Sequence, residues 1–480
     1  VLELLRRHAA RRAYTAAIRT TESLSPDALR REVALLDSAV RLDSTFAMAW
    51  RRLGVRLASS GMDVARGRAA IVKAYALRDR LAPVERALTE AAYHSYVRPD
   101  DAKVRAAYEA VLQADPDNAI ALNNTTSQAL TDGDWTTALA RADRMLARDS
   151  AHVNAWTWRL GALMALGRTD EMERTFAILE RRTAGNATRR AYLETMRLQY
   201  AGKWGEVVPW LQAHQREIDP GVYATLLGSM AQNEVLVGRV ESARRSLVAA
   251  YATLARGDSA MAANARGLED GFDVLESLYY LRDTAAARAA WKRYIAVSGI
   301  ETAPPARRLA RFSTLSALGE ATAARAMLTQ YRAAARAAGA DSADFIRPGT
   351  VRDVHAEIEV LIGERRGADA VRLLRQLADS GKAWPLELVV HGWEAFAAAG
   401  QRDSALVYVG KWLDLRDPRK HDVDMGNWVT PRALIAGCRL ADEAGDVRAR
   451  TRFCGELVRL WANADPALAP VVADARARLA

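Results

Sequence analysis

Seven histidines are spread along the chain: His8, His94, His152, His214, His355, His391 and His421. A helical zinc site needs two of them one turn apart with a carboxylate between, as in H-E-x-x-H, and none is so placed. The sequence therefore predicts no metal site and no cofactor. The stretch KHDVDMGNW, Lys420 to Trp428, is the densest polar cluster, and Asp422 and Asp424 would put two carboxylates on one side of an extended segment. A calcium loop of the EF-hand type needs more oxygen ligands, a glycine at its sixth place and a glutamate at its twelfth. That pattern is not met, so an ordinary solvated loop is expected. Glu269 with Asp270, and Asp442 with Glu443, read as solvated helix ends or faces rather than acid–base pairs. No G-x-S-x-G elbow and no G-x-x-x-x-G-K-[ST] phosphate loop occurs. No catalytic residue is predicted.

Composition points elsewhere. Half of the 480 residues are apolar, and Ala, Leu and Arg dominate over β-branched runs, which favours helix. The net charge is +10 and the pI about 9.7. Only seven of the 68 basic residues are Lys, a bias of GC-rich coding, and the Arg residues form no single block. Nucleic acid is not an expected partner. No run of roughly 18 apolar residues is present, so no membrane span is expected within the chain. The opening VLELLRRHAARR lacks Met and any signal-peptide pattern, and reads as the start of a fragment or a processed product.

A repeat organises the rest. Short polar or glycine turns flanked by amphipathic segments fall at Gly61, Pro99, Gly133, Gly167, Gly202, Gly238, Arg282, Gly319, Gly363, Gly400 and Gly445. The first intervals are 38, 34, 34, 35 and 36 residues, and the later ones run from 37 to 45. Before Gly133, Ile120, Leu122, Ala129 and Leu130 share a face. After it, Trp135, Ala138, Leu139, Ala142 and Leu146 recur at helical spacing. Ala138 lies five residues past its turn, as do Ala243, Ala287, Ala324 and Ala405, and so small a side chain allows two helices to approach closely. A lone hairpin of this length cannot bury its apolar face, but stacked neighbours can.

Trp50, Leu53, Gly54 and Leu57 in WRRLGVRL match the W-x₂-L-G-x₂-Y helix, and YEAVLQADPDNAIALNN sets Tyr108 eight residues before Pro116. From about residue 28 to 200 the chain resembles the tetratricopeptide repeat family; beyond, helical-hairpin solenoid is the broader class. The resemblance implies an all-α fold, a right-handed α-α superhelix of about 11–12 helical hairpins. Its expected parts are a capping hairpin at 1–44, best-matching repeats at 45–202, divergent hairpins at 203–462 and a capping helix at 463–480. Three stretches, beginning SPDALRREV, AYALRDRLA and LVRLWANAD, look like the C-terminal repeat regions of bacterial membrane-bound serine/threonine kinases. There such repeats lie outside the cytoplasm. No kinase motif occurs in this chain; the resemblance implies a kinase domain upstream of it. Its compartment is extracytoplasmic on that reading and otherwise cytoplasmic.

In this family the first helix of each hairpin lines a concave groove. Carried over position by position, the groove would show Arg51, Arg86, Tyr93, Asn123, Ser127, Asn154, Arg189, Tyr192 and Gln199, with Glu276, Glu357 and Glu394 farther along. Amide and guanidinium groups at regular spacing hold the backbone or carboxylate of an extended peptide. The tryptophans at repeat positions (Trp50, Trp135, Trp204, Trp291, Trp393, Trp412) read as packing between helices. The expectation is a non-catalytic scaffold for a protein or peptide partner, the sensory or docking part of a larger signalling protein. The alternatives are an enzyme with its site in the loops 338–350 and 415–431, or a purely structural scaffold. Finally, Cys438 and Cys454 flank the turn at Gly445, and the family's offsets imply that their side chains touch. A disulfide between them is open; two reduced thiols acting as small core residues are the favoured reading.

Overall fold

The structure, a computed structural model, describes residues 2–20, 26–254, 267–338, 345–346, 349–381, 385–417, 420 and 426–480. His421, Asp422, Asp424 and most of the loop 338–350 lie outside the described residues. Among the described residues every regular element is helical and no strand occurs. The chain is all-α.

Its hairpins are built by short polar turns. Gly133 takes the left-handed conformation (φ 73°, ψ 15°) that ends helix Ala119–Asp132. Its N–H donates to Leu130 O at 3.2 Å, and that of Asp134 donates to Ala129 O at 2.8 Å. The Asp134 carboxylate then accepts from Thr137 N–H at 3.1 Å, capping helix Trp135–Arg148. Two adjacent residues thus stop one helix and start the next. Gly445 and Asp446 repeat the device at the far end of the chain, with Asp446 accepting from Ala449 N–H at 2.9 Å. Ala138, Ala243, Ala287, Ala324 and Ala405 are all fully buried (0% exposed), as their offset from the turns requires. Arg282, with φ 56°, takes the left-handed place where the repeat has no glycine. One mark shifts: Gly363 ends helix Val351–Gly363, and Arg365 (φ 59°) makes the turn. Gly363 is small for another reason, since a Cβ there would lie 2.2 Å from Ser316 Oγ.

Two compact units divide the chain near Leu166. In the first, helices Leu2–Thr20 and Pro26–Leu42 pair, then Ala47–Ser59 with Val64–Ala76, Pro83–Tyr96 with Asp101–Ala114, and Ala119–Asp132 with Trp135–Arg148, which packs on Val153–Ala165. Helices Ala47–Ser59 and Val64–Ala76 cross at two glycines; a Cβ on Gly54 would stand 2.7 Å from Gly67 O. First helices also touch first helices, Ala47–Ser59 against Pro83–Tyr96 and Ala119–Asp132 against Val153–Ala165.

The second unit closes on itself. Helix Gln232–Leu236 packs against helix Gly426–Ala444. Trp461 Nε1–H donates to Leu236 O at 3.1 Å across 225 residues. Asp465 N–H donates to Gly238 O at 2.9 Å, and the Asp465 carboxylate accepts from Glu241 N–H at 2.8 Å, at the start of helix Val240–Leu254. Inside this closure Tyr280 stacks on Trp428 (centroids 5.0 Å) and meets Trp461 edge-on (4.9 Å). Trp412, Trp428 and Trp461 are at most 1% exposed. The expected solvated loop is therefore corrected at its described residues: Lys420 and Trp428 are buried. Of the tryptophans expected between helices, Trp393 and Trp412 are core, while Trp50, Trp135, Trp204 and Trp291 are half-buried.

The expectation of free thiols is also overturned. Cys438 and Cys454 touch and are joined by a disulfide, with Cα atoms 4.8 Å apart. Helices usually pack at about 8–10 Å. Here Gly437 lets helices Gly426–Ala444 and Val447–Leu460 come closer, since a Cβ on it would lie 2.9 Å from Phe453 Cδ2. Alkylating the denatured, unreduced protein should add no label by mass spectrometry; two labels would contradict the bond. Closing a loop of this size stabilises by about 3 kcal/mol in the chain-entropy model, so reduction should lower the unfolding free energy by that order.

Candidate peptide-binding face

Six of the nine expected groove residues, Arg51 to Asn154, lie in the first unit. Asn123 and Asn154 sit at equivalent places on helices Ala119–Asp132 and Val153–Ala165, and Asn154 Nδ2–H donates to Asn123 Oδ1 at 3.3 Å. Asn154 and Ser127 are exposed and Asn123 is half-buried. An amide bonded to one partner keeps further donors and acceptors for a ligand. Arg86 is exposed on helix Pro83–Tyr96, and on the same helix Tyr93 stacks on Tyr75 at 3.9 Å. Arg78 covers the Tyr75 ring at 4.1 Å. The side of this helix away from solvent joins the core through Leu88, which clusters with Val111 of its own hairpin and Ala121 of the next.

Arg51 is a correction. It is 7% exposed and pairs with Glu85 Oε2 at 2.8 Å, so it is a strut between successive first helices and not a ligand contact. Arg189, Tyr192 and Gln199 belong to the second unit. Arg189 and Tyr192 are exposed, whereas Gln199 Nε2–H donates to the buried Asn233 Oδ1 at 3.3 Å.

The expected acidic half of the groove is also corrected. Each of its carboxylates is met by an arginine from the same unit. Glu276 faces Arg244 at 3.4 Å. Glu357 pairs with Arg325 and Arg332, both at 2.5 Å. Glu394 pairs with Arg432, whose guanidinium lies 3.7 Å from the Tyr279 ring centroid. These partners stand 32 residues apart for Arg244–Glu276 and Arg325–Glu357, 38 for Arg432–Glu394, and 34 for Arg51–Glu85. Opposite charges one repeat apart were a legible signal of such pairing, and reading each helix alone misses it.

The Glu394 cluster is the most enclosed of these. His391 approaches Glu394 at 3.5 Å and Glu359 at 3.6 Å, and its ring centroid lies 5.0 Å from that of His355. Glu359 also accepts from Ser313 Oγ–H. The side chains of His391, Glu394 and Arg432 are only 15–20% exposed. Burial works to raise the Glu394 carboxyl, but Arg432 and His391 outweigh it and hold it below its ordinary value. Burial works to lower the His391 imidazole, and Glu394 and Glu359 together hold it above. The chemistry here is internal charge pairing.

In the two loops considered for an enzyme, Ile346 N–H donates to Tyr331 Oη at 2.6 Å, Thr350 caps helix Val351–Gly363, and Trp428 and Thr430 are core. Among the described residues no three His, Cys, Asp or Glu side chains cluster as metal ligands, and no helix is long and apolar enough to cross a membrane.

No protein-family model matches the sequence, and no curated protein matches it. Among solved structures, a tetratricopeptide repeat protein from Parabacteroides merdae is 15% identical with a TM-score of 0.34, over 50% of this chain and 93% of that one. Yeast Tom70 is 14% identical with a TM-score of 0.30, over 91% of this chain and 96% of its own. A chain in the structure of Naa15/Naa10 bound to HypK-THB is 11% identical with a TM-score of 0.23, over 98% and 96%. The tetratricopeptide-like character of the hairpins rests on the chain's own turns, caps and buried alanines, not on these superpositions.

Proposed function

We propose that the protein is a non-catalytic docking scaffold whose first unit holds an extended peptide. The face would be formed by helices Pro83–Tyr96, Ala119–Asp132 and Val153–Ala165. The observation that carries this is the Asn123–Asn154 pair, two amides on successive first helices, joined to each other and open to solvent. Such a pair suits a peptide backbone, Arg86 suits a carboxylate, and the Tyr93–Tyr75 stack suits an apolar side chain. The resemblance of the repeats to kinase-associated regions supports a place within a larger signalling protein. The buried disulfide supports an oxidising compartment, and thus an extracytoplasmic one.

Peptides selected on the intact chain from a random display library provide the test. Asn123→Ala with Asn154→Ala should weaken the selected peptides by about tenfold, the worth of one to two hydrogen bonds, at unchanged melting temperature. Equal affinity for the double variant would place the binding elsewhere.

A further inference from the structure

The second unit contains a cleft of about 790 Å³ beside the point where it closes. It is lined by the turn at Gly202 and the start of helix Trp204–His214, and by Lys420 and residues of the C-terminal hairpin. Leu236, Leu413, Leu434 and Leu460 make much of the surface apolar. Its size suits a small organic molecule rather than an inorganic ion.

Its charges are unevenly satisfied. Arg239 is engaged by Glu234 at 2.7 Å. Lys203 pairs with Glu206 at 3.5 Å, and Glu456 with Arg452 at 3.4 Å. Lys420 and Arg459 remain. Among the described residues neither has a carboxylate within ion-pair distance. Lys420 is only 6% exposed, and its ammonium donates to Trp412 O at 2.6 Å and Leu413 O at 3.3 Å. The Trp412 ring centroid lies 5.1 Å from the same nitrogen, and of its three donors two are spent on these carbonyls, so among the described residues no anion neutralises it. Burial pulls Lys420 down to about 8, against the pull of the more distant Asp414, Glu456 and Asp417. A bound anion would recover part of that desolvation.

We infer that this cleft binds an amphipathic organic acid, with its carboxylate on Lys420 and Arg459 and its apolar body against the leucines and Trp204. The inference is independent of the peptide face, which lies in the other unit.

Octanoate serves as the probe, with octanol and octylamine as controls, titrated calorimetrically into the intact chain. Octanoate should bind, and the neutral and cationic controls should bind at least about tenfold more weakly, the worth of a charge-assisted hydrogen bond. Lys420→Met should lose about tenfold or more. Arg459 is exposed, so Arg459→Ala leaves the fold intact and should weaken octanoate but not octanol. Affinity should fall as pH rises through about 8, where Lys420 loses its proton. The other charged groups around it are Lys203, Glu206, Arg239, Asp414, Asp417, Glu456 and Arg459. Octanoate should also slow acetylation of Lys420, read by mass spectrometry. Octanol binding as well as octanoate, unchanged affinity in Arg459→Ala, or acetylation of Lys420 indifferent to octanoate would each overturn the assignment.

Discussion

Replacing Trp461 by Ala should lower the unfolding free energy of the second unit by about 4 kcal/mol or more. A large buried aromatic lost from a packed core costs about 3–5 kcal/mol. Trp461 is 1% exposed and packs edge-on against Tyr280, in the same aromatic core as Trp428. Removing its indole also leaves Leu236 O without the N–H donor that reaches it at 3.1 Å. Trp461→Phe keeps most of the packing and forfeits that hydrogen bond, so about 1–3 kcal/mol is expected. Asp465→Ala removes a helix cap contributed from the other end of the unit and should cost about 1 kcal/mol. Urea titrations followed by tryptophan fluorescence would rank the three. If Trp461→Ala unfolds at the wild-type urea concentration, the second unit is not closed as described.

Arg432→Met should cost about 3–5 kcal/mol, because it strands Glu394 in a mostly buried site. The partner substitution identifies the cause: adding Glu394→Gln to Arg432→Met removes the stranded charge and should recover much of the loss. The pH dependence carries the sign. In the wild type Glu394 is held below its ordinary value, so its contribution is present at neutral pH and is lost as pH falls through its folded value. His391 is held above its ordinary value, so its contribution is full below the ordinary imidazole range and is lost as pH rises through its folded value. Without Arg432 the first sign reverses. A buried, unpaired Glu394 binds its proton more readily than the unfolded chain does, so moving from pH 7 toward 5 should stabilise Arg432→Met. Chemical denaturation at the two pH values measures this, and a variant losing stability toward pH 5 would contradict it.

The sequence and the structure part company where the determinants stop being local. A turn such as Gly133–Asp134 is written in two residues, one supplying a left-handed backbone and the other a cap, so it is legible. The same holds for Ala138 and its counterparts, whose burial follows from helical spacing. Closure of the second unit has no such motif. Its inward helices are interrupted near Ala231, Ser277, Ala310 and His391, and only the summed bends bring Trp461 to Leu236. Read locally, Trp461 ends the last divergent hairpin and Trp428 belongs to a polar loop. The carboxylates failed for a related reason: solvation is the default for a lone Glu on a helix, and Glu394 departs from it because Arg432 lies one repeat away. For Cys438 and Cys454 the offsets foretold contact, but the close approach that permits a bond depends on how Gly437 packs.

Hydrogen–deuterium exchange on the full chain, with and without a display-selected peptide, tests most directly that the first unit binds the peptide and the inward helices of the second unit do not. Added protection should fall on helices Pro83–Tyr96, Ala119–Asp132 and Val153–Ala165. Helices Leu268–Glu276, Val351–Gly363 and Gly392–Ala398 should exchange slowly and unchanged by the peptide. Peptide-dependent protection on those three helices, with none on the first unit, would contradict it.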